Sequence, residues 1–147
     1  KAVGELIDTL AARLGAHRVQ QAILVESHVP ERAFRRRSAA DGVIRSHARA
    51  LNAAPVPRPS LLLAQPARVE VQSLDGRPAA VFERGEVRRI TVCIGPERIV
   101  LPWWNTIRGC LASRDYFKVQ DDRGRWLWLY RTIRGDEWAW YLHGVWA

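Results

Sequence analysis

Four histidines (His17, His28, His47 and His143) and two cysteines (Cys93 and Cys110) are the residues of this chain best suited to hold a metal or start covalent chemistry. Their spacing supports neither. No histidine has a second ligand-type residue three or four positions away in a convincing helix, and the cysteines are isolated, without a CxxC pair. Two such thiols read as reduced, buried or incidental. Ser27–His28 lacks a third member, and His28 beside Pro30 reads as a capping or packing residue. The adjacent acids Asp121–Asp122 and Asp136–Glu137 fall in expected hairpin turns, where solvated carboxylates are the normal occupants. No P-loop, GxGxxG or GxSxG occurs. The residues therefore predict no catalytic site, no metal and no cofactor.

Recognition chemistry is better represented. The chain carries seven tryptophans, three of them in the closing stretch "DEWAWYLHGVWA". Indoles suit the anchors of protein interfaces and platforms for stacking nucleic-acid bases. The net charge is +8 over 147 residues, which favours polyanions, and Arg35, Arg36 and Arg37 form one run. Only Lys1 and Lys118 are lysines. That arginine bias, with abundant alanine, also fits a GC-rich genome and dilutes the charge as a sign of nucleic-acid binding.

Several elements must position these groups. Val3, Leu6, Ile7, Leu10, Ala11 and Leu14 follow helical spacing, so an amphipathic helix is expected, with Gly15 to cap it. A short strand is expected around Ile23 to Glu26, followed by a second short helix opened by Pro30 and carrying Arg32 and Arg35–Arg37. Residues 38–60 lack periodicity and end in the alternating prolines Pro55, Pro57 and Pro59, which predicts an extended linker. Beyond it the period changes to two. Strands are expected over 67–72, 79–86, 87–94, 115–120, 125–133 and 137–146. The expected class is α+β: a helical segment over 1–37, the linker over 38–60, and over 61–147 a small antiparallel β-barrel or curved six-stranded sheet. No apolar run reaches the length of a membrane span.

Register decides which aromatic side chains share a face. A three-residue loop at 122–124, with Gly124 left-handed, sets Phe117 and Val119 beside Leu129 and Leu127, and Lys118 opposite Trp128. A three-residue loop at 134–136 sets Tyr130 nearly opposite Trp140 and Trp128 opposite Leu142, gathering the tryptophans on one face. A two-residue loop at Gly135–Asp136 would split them. With the longer loop, Trp126, Trp128, Tyr130, Trp138, Trp140 and Trp146 are the candidate partner-binding residues. Their face either lines the core, or lies under the Val3–Leu14 helix, or is partly exposed and docks a protein. In an alternative, the chain binds single-stranded DNA: Arg35, Arg36, Arg37 and Lys118 meet phosphates while Trp128 or Trp140 stacks on bases.

The stretch "RDYFKVQDDRGRWLWLYRTIRGDEWAWYLHGVWA" resembles the C-terminal end of ImuB, a family of bacterial homologues of Y-family DNA polymerases in damage-induced mutagenesis. The matching pieces are Asp115-Tyr116-Phe117, Leu127-Trp128-Leu129-Tyr130-Arg131 and Trp140 to Ala147. Upstream, "LAARLG" (10–15) with "ESHVPERAF" (26–34), "PRPSLLLAQPARVEV" (57–71) and "GPERIVLPWW" (95–104) are similar to family segments in the same order. Trp146 stands where phenylalanine is more frequent, and 38–56 matches nothing familiar. The resemblance implies a protein without polymerase activity. It would act as an adaptor joining the sliding clamp, a RecA-like ImuA-type partner and an error-prone replicative-type DNA polymerase. It further implies a cytoplasmic bacterial protein, at the nucleoid when active. The polymerase-like region would precede Lys1, and the clamp-binding peptide would lie elsewhere. A chain that begins at Lys1 and lacks methionine fits a piece of such a protein.

Overall fold

The computed structural model describes residues 2–42, 57–101, 113–134 and 137–146. Most of the expected linker (43–56), the WW pair at 103–104, His47 and Cys110 lie outside these residues. The chain divides into two compact units, Lys1–Pro55 and Val56–Ala147.

In the first unit the expected helix is present as α1, Ala2–Leu14. Gly15 ends it with φ +91°, and its N–H donates to the Ala11 carbonyl at 2.9 Å. Left-handed backbone at this position is inexpensive only for glycine. Strand β1 spans Gln20–Leu24, slightly upstream of the expected Ile23–Glu26. Pro30 does open a helical turn, but it is a single 3-10 turn, Pro30–Arg32. The expected second helix is thus corrected: Arg35, Arg36 and Arg37 lie in strand β2, Phe34–Ser38. β2 pairs antiparallel with β1, setting Arg35 opposite Ile23 and Arg37 opposite Gln21. The reason is tertiary. "FRRRS" has no apolar stripe to hold a helix, whereas β1 supplies partners for its backbone groups.

The second unit is a closed ring of six antiparallel strands: β3 (Leu61–Leu74), β4 (Arg77–Glu83), β5 (Glu86–Val100), β6 (Ser113–Asp121), β7 (Trp126–Arg134) and β8 (Glu137–Trp146). All six expected strands exist, and β8 closes the ring on β3. The α+β expectation is borne out. Inside the ring, Val81, Phe117, Val119, Leu127, Leu129 and Trp140 form the core, with Val69, Val71, Ile90 and Cys93 packed against them.

The β6–β7 hairpin has the expected register, with Phe117 opposite Leu129, Lys118 opposite Trp128 and Val119 opposite Leu127. Gly124 takes φ +81°, and its N–H donates to the Asp121 carbonyl at 3.0 Å. The β7–β8 register corrects the other expectation. Arg134 pairs with Glu137, so two residues rather than three connect the strands, and Tyr130 faces Tyr141 while Arg131 faces Trp140. A register shift between Trp128 and Leu129 then places Trp128 opposite Gly144 and Leu129 opposite Leu142. That leaves His143 as the extra, bulged residue. The tryptophans are therefore split. Trp140 fills the ring interior against Phe117, with ring centroids 5.5 Å apart. Trp126 and Trp146, paired across the strands, share the outer face with Trp128.

Candidate functional site: the outer aromatic face of β6, β7 and β8

Because Phe117, Val119, Leu127 and Leu129 point inward, the alternate residues of the same strands must point outward. Here those residues are also aromatic. Tyr116 stacks on Trp128 at 4.1 Å, Tyr130 on Tyr141 at 5.0 Å, and Trp128 on His143 at 5.5 Å. Tyr116, Trp128, Tyr130 and Ile99 form a second buried cluster, with Leu62, Tyr141 and Trp146 against it. The sheet is apolar on both faces, which is why alternation alone gave no inside and outside.

Cations are interleaved with these rings. The Lys118 ammonium stands 4.6 Å from both the Trp126 and the Trp146 ring. The Arg114 guanidinium lies 4.8 Å from Tyr130, and that of Arg58 5.1 Å from Trp128. Such contacts contribute about 0.5–1 kcal/mol each where exposed. Arg58 also donates two hydrogen bonds to Glu97, Nη1 to Oε2 and Nη2 to Oε1, both at 2.7 Å. Beneath them, Arg114 donates to the Tyr116 hydroxyl at 3.2 Å. The same hydroxyl shares a hydrogen bond with His143 Nδ1, 2.8 Å away.

Burial sorts the candidate residues. Trp128 is 1% exposed, Trp140 7% and Tyr130 5%, so none of the three offers a free face to a base or a partner in this state. Trp126 and Trp146 are half-buried around Lys118. Trp138 is the exception, at 51% exposed. The Arg131 guanidinium lies 4.2 Å from its ring. Arg131 is itself held by the Asp115 carboxylate (Nη2 to Oδ2, 3.1 Å) and the Gly76 carbonyl (Nη1, 2.7 Å). Arg98 binds the same carboxylate through Nε at 2.6 Å and Nη2 at 3.0 Å. The Arg98 hydrogen bond holds the Asp115 carboxyl below the usual carboxylate range; burial opposes this and Arg131 reinforces it. Arg35, Arg36 and Arg37 are exposed on β2, in the other compact unit.

Sequence reasoning missed Arg58, Glu97, Arg98 and Asp115 as parts of this architecture. The signal was available in "PRP" and "GPER", whose matches to family segments lacked a physical reason until the fold brought them onto the aromatic strands. Among the described residues, no group of three or more His, Cys, Asp or Glu is placed to hold a metal ion. Burial pushes the Cys93 thiol up despite the opposing charge of Arg77, which keeps it protonated at neutral pH and a poor nucleophile. Among the described residues, no helix is long and apolar enough to cross a membrane.

No family model and no solved structure matches the chain. It is similar to the protein ImuB of two Caulobacter vibrioides strains, NA1000/CB15N and ATCC 19089/CIP 103742/CB 15. Identity is 36% over 151 aligned residues in each, covering 95% of this chain. The chain spans 32% of the length of these relatives. The resemblance to ImuB drawn from the motifs is borne out along nearly the whole chain.

Proposed function

We propose that this chain is a non-catalytic protein-interaction module of an ImuB-type protein acting in DNA damage-induced mutagenesis. Its partners would be a RecA-like ImuA-type protein and an error-prone replicative-type DNA polymerase, with the sliding clamp engaged by other parts of the protein. Its place would be the bacterial cytoplasm, at the nucleoid when active. The observation that carries this reading is the similarity to ImuB over 95% of the chain. A surface observation supports it: Trp138 presents an exposed indole backed by Arg131, and tryptophan and arginine dominate the energetic centres of protein interfaces. Titration of the purified chain with each partner tests the reading. Binding to at least one is expected, weakened at least tenfold by Trp138→Ala with the near-UV circular dichroism of the ring unchanged. Binding to neither partner would sink it.

A second reading rests on the arginine ribbon. All three arginines of β2 are exposed, a geometry suited to phosphates. As the chain's main activity, this reading requires single-stranded DNA affinity that falls steeply with salt and is lost when Arg35, Arg36 and Arg37 are neutralised together.

A further inference from the structure

Residues 57–62 form a strap along the outer aromatic face. Leu61 and Leu62 pair with Val145 and Gly144; the register then shifts before pairing resumes at Ala67 and Leu142. The strap is thus registered separately from the rest of β3. Three of its residues, Arg58, Pro59 and Leu62, make side-chain contacts with that face. The planar Arg58 guanidinium grips Glu97 with two bonds and lies over Trp128. Pro59, with no N–H to give to a ladder, packs on Gly144, where any Cβ would come within 2.5 Å of the proline ring. Leu62 joins the aromatic cluster. Proline-rich peptides dock in aromatic-lined grooves, and here an indole, a carboxylate and a bare glycine receive an arginine and a proline.

We propose that this groove is a binding site for extended peptides presenting arginine followed by proline. Residues 57–62 are its occupant in cis, a latch that such a segment of a partner protein displaces. The inference deepens the adaptor reading and rests on it for the existence of a partner. The Arg58 and Glu97 side chains remain 44% and 27% exposed, so the polar half of the contact is open to a competitor from solution. A tethered occupant acts at high effective concentration, so a free peptide competes poorly until the latch is released.

The test uses the full chain with Arg58→Gly and Pro59→Gly together, and the peptide PRPSLL, followed by tryptophan emission. The released chain is expected to bind PRPSLL at least tenfold more tightly than the unaltered chain does. The peptide PKPSLL should bind at least tenfold more weakly, because lysine cannot form the bidentate pair. Adding Glu97→Gln should abolish binding. If the released chain keeps its near-UV spectrum and binds no more tightly than the unaltered chain, the proposal is overturned. Should that variant lose its fold, hydrogen exchange on the unaltered chain decides. Leu61 and Leu62 amides exchanging at least tenfold faster than those of Val119 and Leu129 support a latch; equal protection rejects it. Peptide binding without capture of either protein partner would sink the adaptor reading alone. Capture without peptide binding would sink this inference alone.

Discussion

Asp115 and Tyr116 are neighbours that point to opposite sides of β6, and each organises its side with a polar contact. Tyr116 reaches outward to the buried His143, which the bulge of β8 turns into the aromatic cluster. The "LHG" within the matching piece Trp140 to Ala147 thereby acquires a reason: His143 supplies the buried partner, and Gly144 leaves room for Pro59. Asp115 collects Arg98 and Arg131, and its carboxyl pKa is lowered in the folded chain, foremost by the Arg98 hydrogen bond. A carboxyl depressed by folding contributes stability above its unfolded value, near 4, and loses that contribution as pH falls through the folded value. Urea unfolding should therefore show stability falling as pH drops below about 4. Asp115→Asn should flatten that fall and cost about 1.5–3 kcal/mol at pH 7, as expected for hydrogen bonds to a charged group. Some acid slope should persist, because Asp121 is also lowered: burial raises it, but Arg125 and the backbone N–H groups of Arg123 and Arg125 outweigh burial. An Asn variant with an unchanged acid slope would contradict this role for Asp115.

At the scale of elements, legibility followed turn chemistry. The β6–β7 register could be read because "DDRG" offers one glycine at the position that must be left-handed. The β7–β8 register could not, since "RGDE" suits a loop of two residues as well as three. What decided it was packing: the ring interior takes the Trp140 indole, and a bulge at His143 restores the outer face beyond it. No period-two pattern announces a bulge. The β2 strand escaped for a similar reason, because its partner β1 lies across a turn rather than in its own composition. Gly124 isolates the backbone contribution. A Cβ there meets nothing nearer than 3.9 Å, so Gly124→Ala tests φ +81° without a steric clash. A loss of about 1–2 kcal/mol is expected, with Gly124→Asn less costly because asparagine tolerates that region better. Equal stability of the alanine variant and the parent in chemical denaturation would show that the turn does not need glycine.

For the ring unit as a whole, six strands were legible as a count, but closure was not, because alternation does not say which strand pairs with the first. Closure rests on β3 meeting β8, where Ser60 and Val145 touch across 85 positions of sequence. Joining such distant segments costs loop entropy that a hairpin such as β6–β7 avoids. The hairpin should therefore be structured in the folding transition state, and the β3–β8 seam should form after it. Val119, fully buried within the hairpin, and Val69, half-buried opposite Trp140 on the seam, are the probes. Truncation of either to alanine should cost about 1 kcal/mol or more, enough to be read kinetically. Stopped-flow tryptophan fluorescence should show Val119→Ala slowing refolding, whereas Val69→Ala leaves refolding nearly unchanged and accelerates unfolding. If Val69→Ala slows refolding as much as Val119→Ala, the ring closes at or before the rate-limiting step. The strap that begins β3 would then be set by the folding nucleus rather than added to a finished sheet.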